Sequence, residues 1–204
     1  MSARVQRILG ALALFALVAS PARAQQRGGG GGGRGRGRGP IVVMTLTSSA
    51  FADGARIPEK YAQPGHELSP PLSWTGAPDS TVSFVLIVHD LDSVIGNGTD
   101  DMLHWMVWNI LGAATSLAEG IPALPQLPDG TRQVSATGPY YRAPGAPASG
   151  PPHHYAFELY ALDIALDVGA VVAAPPVARA SVIAAMASHI RGKATLVGLY
   201  RRGS

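Results

Sequence analysis

The chain has 204 residues, 47% of them hydrophobic, and no cysteine, so neither a disulfide framework nor a cysteine-ligated metal is available to it. Its formal charge of +3 is misleading, because seven of the sixteen basic residues lie before residue 39. Nine remain against all thirteen acids from Ile41 onward, a net of about −4, which excludes a basic nucleic-acid footprint on that part of the chain.

The first element is a leader. "MSARVQR" is basic, "ILGALALFALVAS" is apolar, and Ala22-Arg23-Ala24 is a small-residue cleavage pattern. The apolar run falls short of the roughly 20 residues a membrane span needs. Residues 1–24 therefore predict a signal peptide, and an exported protein, periplasmic or secreted. Residues 25–40, "QQRGGGGGGRGRGRGP", hold nothing to bury and predict a disordered Gly/Arg-rich linker. Residues 41–204 suffice for one domain with its own core.

Within that domain Ile41–Thr47 is rich in β-branched residues and predicts a strand. "LSPPLSW", Leu68–Trp74, is extended by its prolines and ends in a short strand. Val82–Asp90 is apolar at every position but Ser83, His89 and Asp90, which predicts a central strand packed on two sides. Ser93–Met102 reads as a loop with Asn97-Gly98 as turn residues, and His104–Leu111 as the next strand. Gly112–Gly150 is dense in glycine and proline and predicts a long irregular excursion. Tyr155–Leu162 is a strand, and Ala178–Ile190 is a helix with Val182, Ile183 and Met186 at helical spacing. Lys193–Tyr200 is a last strand. Many strands, one helix near the C-terminus and Pro/Gly-rich connections predict a mainly β fold, a sandwich or barrel.

Strand parity sorts the polar residues. Phe84, Leu86, Val88 and Asp90 share one face and His89 takes the other, with Asp92 joining Asp90 if the extended path continues. A hairpin symmetric about Asn97 sets Asp90 opposite His104, where a carboxylate fixes an imidazole's tautomer. In "SGPPHHYAFELY" His153 and Tyr155 share a face, while His154 sits on the solvated side. Taken singly, an acid at a strand end is usually turn chemistry. Two acids, two histidines and a tyrosine gathered at strand ends beside a Pro-rich loop are harder to explain that way, because desolvating them without a use is costly. No HExxH, HxH or G-x-S-x-G pattern supports a hydrolase, so a metal-dependent hydrolase is the least favoured reading.

These segments carry a resemblance. "LSPPLSW", Asp90-Leu91-Asp92-Ser93-Val94, His104-Trp105 in "HWMVWNI", "GPPHHYAF" and the closing "LVGLYRR" resemble, in order and spacing, the phosphatidylethanolamine-binding protein family, also called Raf kinase inhibitor protein-like, and within it the bacterial YbhB/YbcL branch. The resemblance covers roughly Met44–Arg202. It implies an antiparallel β-sandwich with a small strand-end cavity for phosphate-like groups and phospholipid headgroups. It also implies ligand binding without catalysis and without a cofactor. The lining residues it implies are Asp90, His104, His153 and Tyr155, with Asp92 as a supporting acid and Pro144 in the loop before the site. A protease- or kinase-like protein partner, as for an inhibitor or modulator, and transient contact with a membrane surface are the other partners it implies, and nucleic acid is not among them. An envelope interaction module with a vestigial pocket is the alternative. Three departures stand out: Leu91 and Val94 replace the prolines of the family's D-P-D-A-P segment, His154 replaces an arginine, and Ala143-Pro144 stands where the branch usually has Gly-Pro.

Overall fold

The computed structural model describes residues 40–63, 65, 67–96, 100–169 and 175–203. The expected signal peptide, all of the expected linker but Pro40 and the expected Asn97-Gly98 turn lie outside them. Among the described residues no helix is long and apolar enough to cross a membrane.

The β-branched run at Ile41–Thr47 forms strands in two sheets instead of one strand. Strand β1 (Val42–Val43) and strand β2 (Thr45–Thr47) are separated by Met44, which is buried. The remaining elements are β3 (Leu72–Thr75), β4 (Ser83–Ile95), β5 (Asp100–Leu111), β6 (Ser116–Leu117), β7 (Arg132–Val134), β8 (His153–Leu162), α1 (Pro175–Met186) and β9 (Ile190–Tyr200). The larger sheet runs β1-β9-β8-β4-β5-β7 and the smaller β2-β3-β6. Neighbours are antiparallel except β1 beside β9, whose pairing is parallel.

Strand β4 lies between β8 and β5 and is buried on both faces, as its unbroken apolar run requires. Phe84, Leu86 and Val88 join Leu46, Trp74, Trp105 and Phe157 in a core that takes residues from both sheets. Val85 and Ile87 join Trp108, Val182 and Met186 in a second core that takes residues from α1. A buried glutamine organises part of the long excursion. Gln133 accepts from the Trp105 indole N–H at 2.8 Å and donates to the carbonyls of Pro122 and Leu124, so no polar group of its amide is stranded.

Strands β8 and β9 start two and three residues earlier than expected, at His153 and Ile190, and two other departures are larger. Strand β4 continues to Ile95 and β5 starts at Asp100, so most of the expected Ser93–Met102 loop is strand. An irregularity between Asp90 and Val94 lets the ladder resume, with Val94 opposite Asp101 and Ile95 opposite Asp100. The helix occupies Pro175–Met186 in place of the expected Ala178–Ile190. Prolines suit a first turn, where the missing N–H has no intrahelical partner to lose. At the other end Ser188 takes φ 73°, and Ile190 opens β9. Ile183, expected on the buried stripe, is 47% exposed, while Ala178, Val182 and Met186 face the core.

Candidate functional site

Asp90 sits on the face of β4 that Phe84, Leu86 and Val88 share, at the point where pairing with β5 becomes irregular, and is 4% exposed. Its two carboxylate oxygens lie 2.8 Å and 3.1 Å from His153 Nδ1, and Oδ1 accepts the backbone N–H of Asp92 at 3.0 Å. Tyr155 is opposite Asp90 in the β4–β8 ladder. Its ring lies nearly parallel to His153, at 6.5 Å and 24°, and meets His104 edge-on at 5.0 Å and 85°. His104, from β5, is 3% exposed, and its Nδ1 donates to the Arg142 carbonyl at 2.7 Å. Three adjacent strands thus bring Asp90, His104, His153 and Tyr155 together.

Burial depresses the His104 pKa and the nearby Arg142 charge adds to that, with the Arg142 carbonyl and the Asp90 carboxylate opposing. The ring is therefore neutral at pH 7, with its proton on Nδ1 and a lone pair on Nε2. Burial, then the Asp90 carboxylate, push the Tyr155 phenol upward, so its hydroxyl keeps its proton. The backbone amides of Gly145 and Ala146 act in the opposite sense, which places loop N–H donors beside that hydroxyl. Gln63 braces this loop by donating its backbone N–H to the Pro144 carbonyl at 2.9 Å and its side-chain amide to the Ala143 carbonyl at 3.1 Å. Pro144 is buried, and the Ala143 methyl packs in the core.

The register differs from the symmetric hairpin expected about Asn97. A shift between Val88 and His89 sets His89 opposite Leu103 and Asp90 opposite Met102. Asp90 therefore holds His153, and His104 is held by a backbone carbonyl. Asp92 does not join the cluster, because the irregularity after Asp90 breaks the parity that would have carried it inward. Its side chain is 41% exposed and accepts the backbone N–H and Nδ1 of His154 at 2.6 Å and 2.9 Å.

The other face of β4 carries a second cluster, built on His89. His89 Nδ1 lies 2.5 Å from Asp101, and Nε2 lies 3.4 Å from Glu158, an ion-pair distance without hydrogen-bond alignment. Arg179 of α1 pairs with Asp101 at 2.6 Å, Lys193 of β9 with Glu158 at 2.5 Å, and the Tyr160 hydroxyl donates to Glu158 at 2.9 Å. Burial works against an imidazolium at His89, but the flanking Glu158 and Asp101 prevail and raise its pKa. Its charge, with Lys193 and Tyr160, brings the Glu158 carboxyl down to about 2. Beside this cluster is a hollow of about 680 Å³ lined mainly by apolar side chains of the β4–β5 hairpin and α1. Among the described residues, no three His, Asp or Glu side chains come together in a way that could hold a metal ion.

Sequence reasoning passed over Arg142, whose N–H donates to the His104 carbonyl at 2.8 Å while its own carbonyl accepts from that ring. The available signal was a lone arginine in Tyr140–Gly150, a stretch with no acid to pair it.

Comparisons with known proteins bear on the family and the fold. A family model described as phosphatidylethanolamine-binding protein matches residues 47–201. A UPF0098 protein of Methanothermobacter thermautotrophicus is 42% identical over 162 residues, spanning 78% of this chain and 100% of that one. The crystal structure of a phosphatidylethanolamine-binding protein homologue from Chlamydia trachomatis is 34% identical with a TM-score of 0.62, over 78% of this chain and 97% of that one. Escherichia coli YbcL, described as a member of the mammalian family, is 25% identical with a TM-score of 0.61, over 78% of this chain and 98% of YbcL.

Proposed function

The chain belongs to the phosphatidylethanolamine-binding protein family, and on that premise we propose that it binds a small phosphate-bearing anion, free or as a phospholipid headgroup, at Asp90, His104, His153 and Tyr155, without turning it over. One observation carries the reading. Each imidazole is fixed through Nδ1, to Asp90 or to the Arg142 carbonyl, and neither Nε2 hydrogen-bonds another side chain among the described residues. When protonated, the two oriented rings join a phenol that keeps its proton and the Gly145 and Ala146 amides in a donor set suited to phosphate oxygens. Among the residues of this cluster the hydroxyl is that of Tyr155, held protonated, and the acid, Asp90, is engaged by His153. The leader at residues 1–24 supports an exported setting.

Since Nε2 of a neutral ring accepts and that of an imidazolium donates, binding strengthens as pH falls. Titration calorimetry at pH 6 with inorganic phosphate and phosphoethanolamine is the test. Saturable binding is expected, weakened about tenfold or more in His104→Ala, as for loss of a charge-assisted hydrogen bond. No binding at pH 6, or an affinity unchanged by the substitution, overturns the reading.

A further inference from the structure

From Ile41 onward the chain has nine basic side chains. Eight of them pair with a carboxylate or donate to a carbonyl or amide oxygen. The guanidinium of Arg142 makes no hydrogen bond and no ion pair among the described residues, and its Nε is buried without a partner. An unpaired cation in a partly buried position is destabilising, and folds do not keep one without compensation. Arg142 is also fixed in place, because its backbone exchanges two hydrogen bonds with His104. Its charge is close enough to the imidazole to help depress the ring's pKa. The neighbouring candidate for a cation, His154, is taken by Asp92 on the exposed side.

We infer that Arg142 is the fixed-charge partner of the anion, a specificity-determining residue that lets the site hold a phosphate group when its histidines are neutral. The inference rests on the proposed anion binding at the same cluster. Guanidinium stays charged at any pH the protein meets and presents several donors in one plane, which suits phosphate oxygens. The titratable groups around it are His104, Asp90, His153 and Tyr155 on the strands, and Glu67, whose charge reaches Tyr141 next in the chain. All of these are acids or groups that lose positive charge as pH rises, and Arg202, which reaches the same loop, donates to the Gln63 side-chain oxygen, so Arg142 is the fixed cation without an internal partner among the described residues.

The experiment measures affinity at pH 6 and pH 8 for inorganic phosphate, phosphoethanolamine and the diester glycerophosphoethanolamine, in the wild type, Arg142→Gln and Arg142→Lys. At pH 8 the wild type holds phosphate, Arg142→Gln binds about tenfold to a hundredfold more weakly, and Arg142→Lys recovers part of the loss. The gap narrows as pH falls and His104 imidazolium comes to share the charge. Arg142→Gln unfolds at the wild-type temperature or above it, because it removes an unpaired cation. A fall of several degrees assigns Arg142 to structure and overturns the inference. Wild-type affinity at pH 8 in Arg142→Gln, alongside the weakening in His104→Ala, overturns the inference and leaves the anion reading standing. Absence of binding by the wild type at both pH values overturns both. Weakening for phosphate and monoester alone marks a free phosphate as the occupant, and equal weakening for the diester marks a headgroup; both patterns support the assignment of Arg142.

Discussion

His89 and Asp90 are consecutive residues of β4 that point to opposite faces and anchor two acid–histidine clusters of opposite character. Around His89 the charges are matched inside the protein: Asp101, Glu158, Arg179 and Lys193 pair with one another and with the ring. Around Asp90 the internal bonds orient two imidazoles through Nδ1, and among the described residues neither Nε2 meets another side chain and the Arg142 guanidinium has no partner. Composition does not separate the two, since both combine histidine, acid, arginine and tyrosine. What separates them is whether the charges are matched within the fold. A cluster of matched charges ties elements together, here α1 and β9 to the central strands, and a cluster with an unmatched cation is equipped to meet an anion from outside.

The largest expected effect tests the closed side. Glu158→Gln breaks the pairing of His89 and Lys193 at once and lowers stability by about 2–4 kcal/mol, a drop of several degrees in the unfolding temperature. Phosphate affinity stays within about twofold. A tenfold loss of affinity in the folded variant breaks the division between the clusters.

A smaller effect uses pH, because His89 and His104 titrate with opposite sign. The folded-state pKa of His89 is raised, so its stabilising contribution is full below the unfolded value near 6.5 and is lost as pH rises through the folded one. The folded-state pKa of His104 is depressed, so its contribution is present above about 6.5 and is lost as pH falls through the folded value. Unfolding temperatures measured from pH 5 to pH 8.5 should show His89→Gln flattening the decline on the alkaline side and His104→Gln flattening the decline on the acid side, each by about 1 kcal/mol or less. The same limb flattened by both variants removes the contrast.

The smallest effect sharpens the boundary of the open side. Asp92 and His154 form an exposed pair, so Asp92→Ala changes stability by about 0.5 kcal/mol or less. It leaves phosphate affinity within about twofold, by calorimetry. A larger loss of affinity returns Asp92 to the site.

The sheet and the two-sided burial of β4 were legible because an unbroken apolar run has few other places to go, and parity assigned His89 and Asp90 to opposite faces without knowledge of their neighbours. Pairing was less legible. The shift between Val88 and His89 gives Asp90 to Met102 instead of His104, and nothing in "FVLIVHDLD" announces an irregularity. Ile183 satisfies helical spacing yet is exposed, because the buried stripe runs through Ala178, Val182 and Met186, four residues apart, and Ile183 lies beside it. Arg142 is the clearest case of information absent from local pattern. Its contact with His104 spans 38 residues and depends on the course of an irregular loop, which neither helical nor strand periodicity describes.

The alternation along β4 also bears on which changes the chain tolerates. Substitutions between Phe84 and Val88 alter one core at a time. Loss or gain of a single residue there, by contrast, sends Asp90 into the face held by His89 and His89 into the face held by Asp90, exchanging a bonded framework for an open one in one step. This short segment is thus more sensitive to a change in length than to a volume-conserving change among its hydrophobic residues.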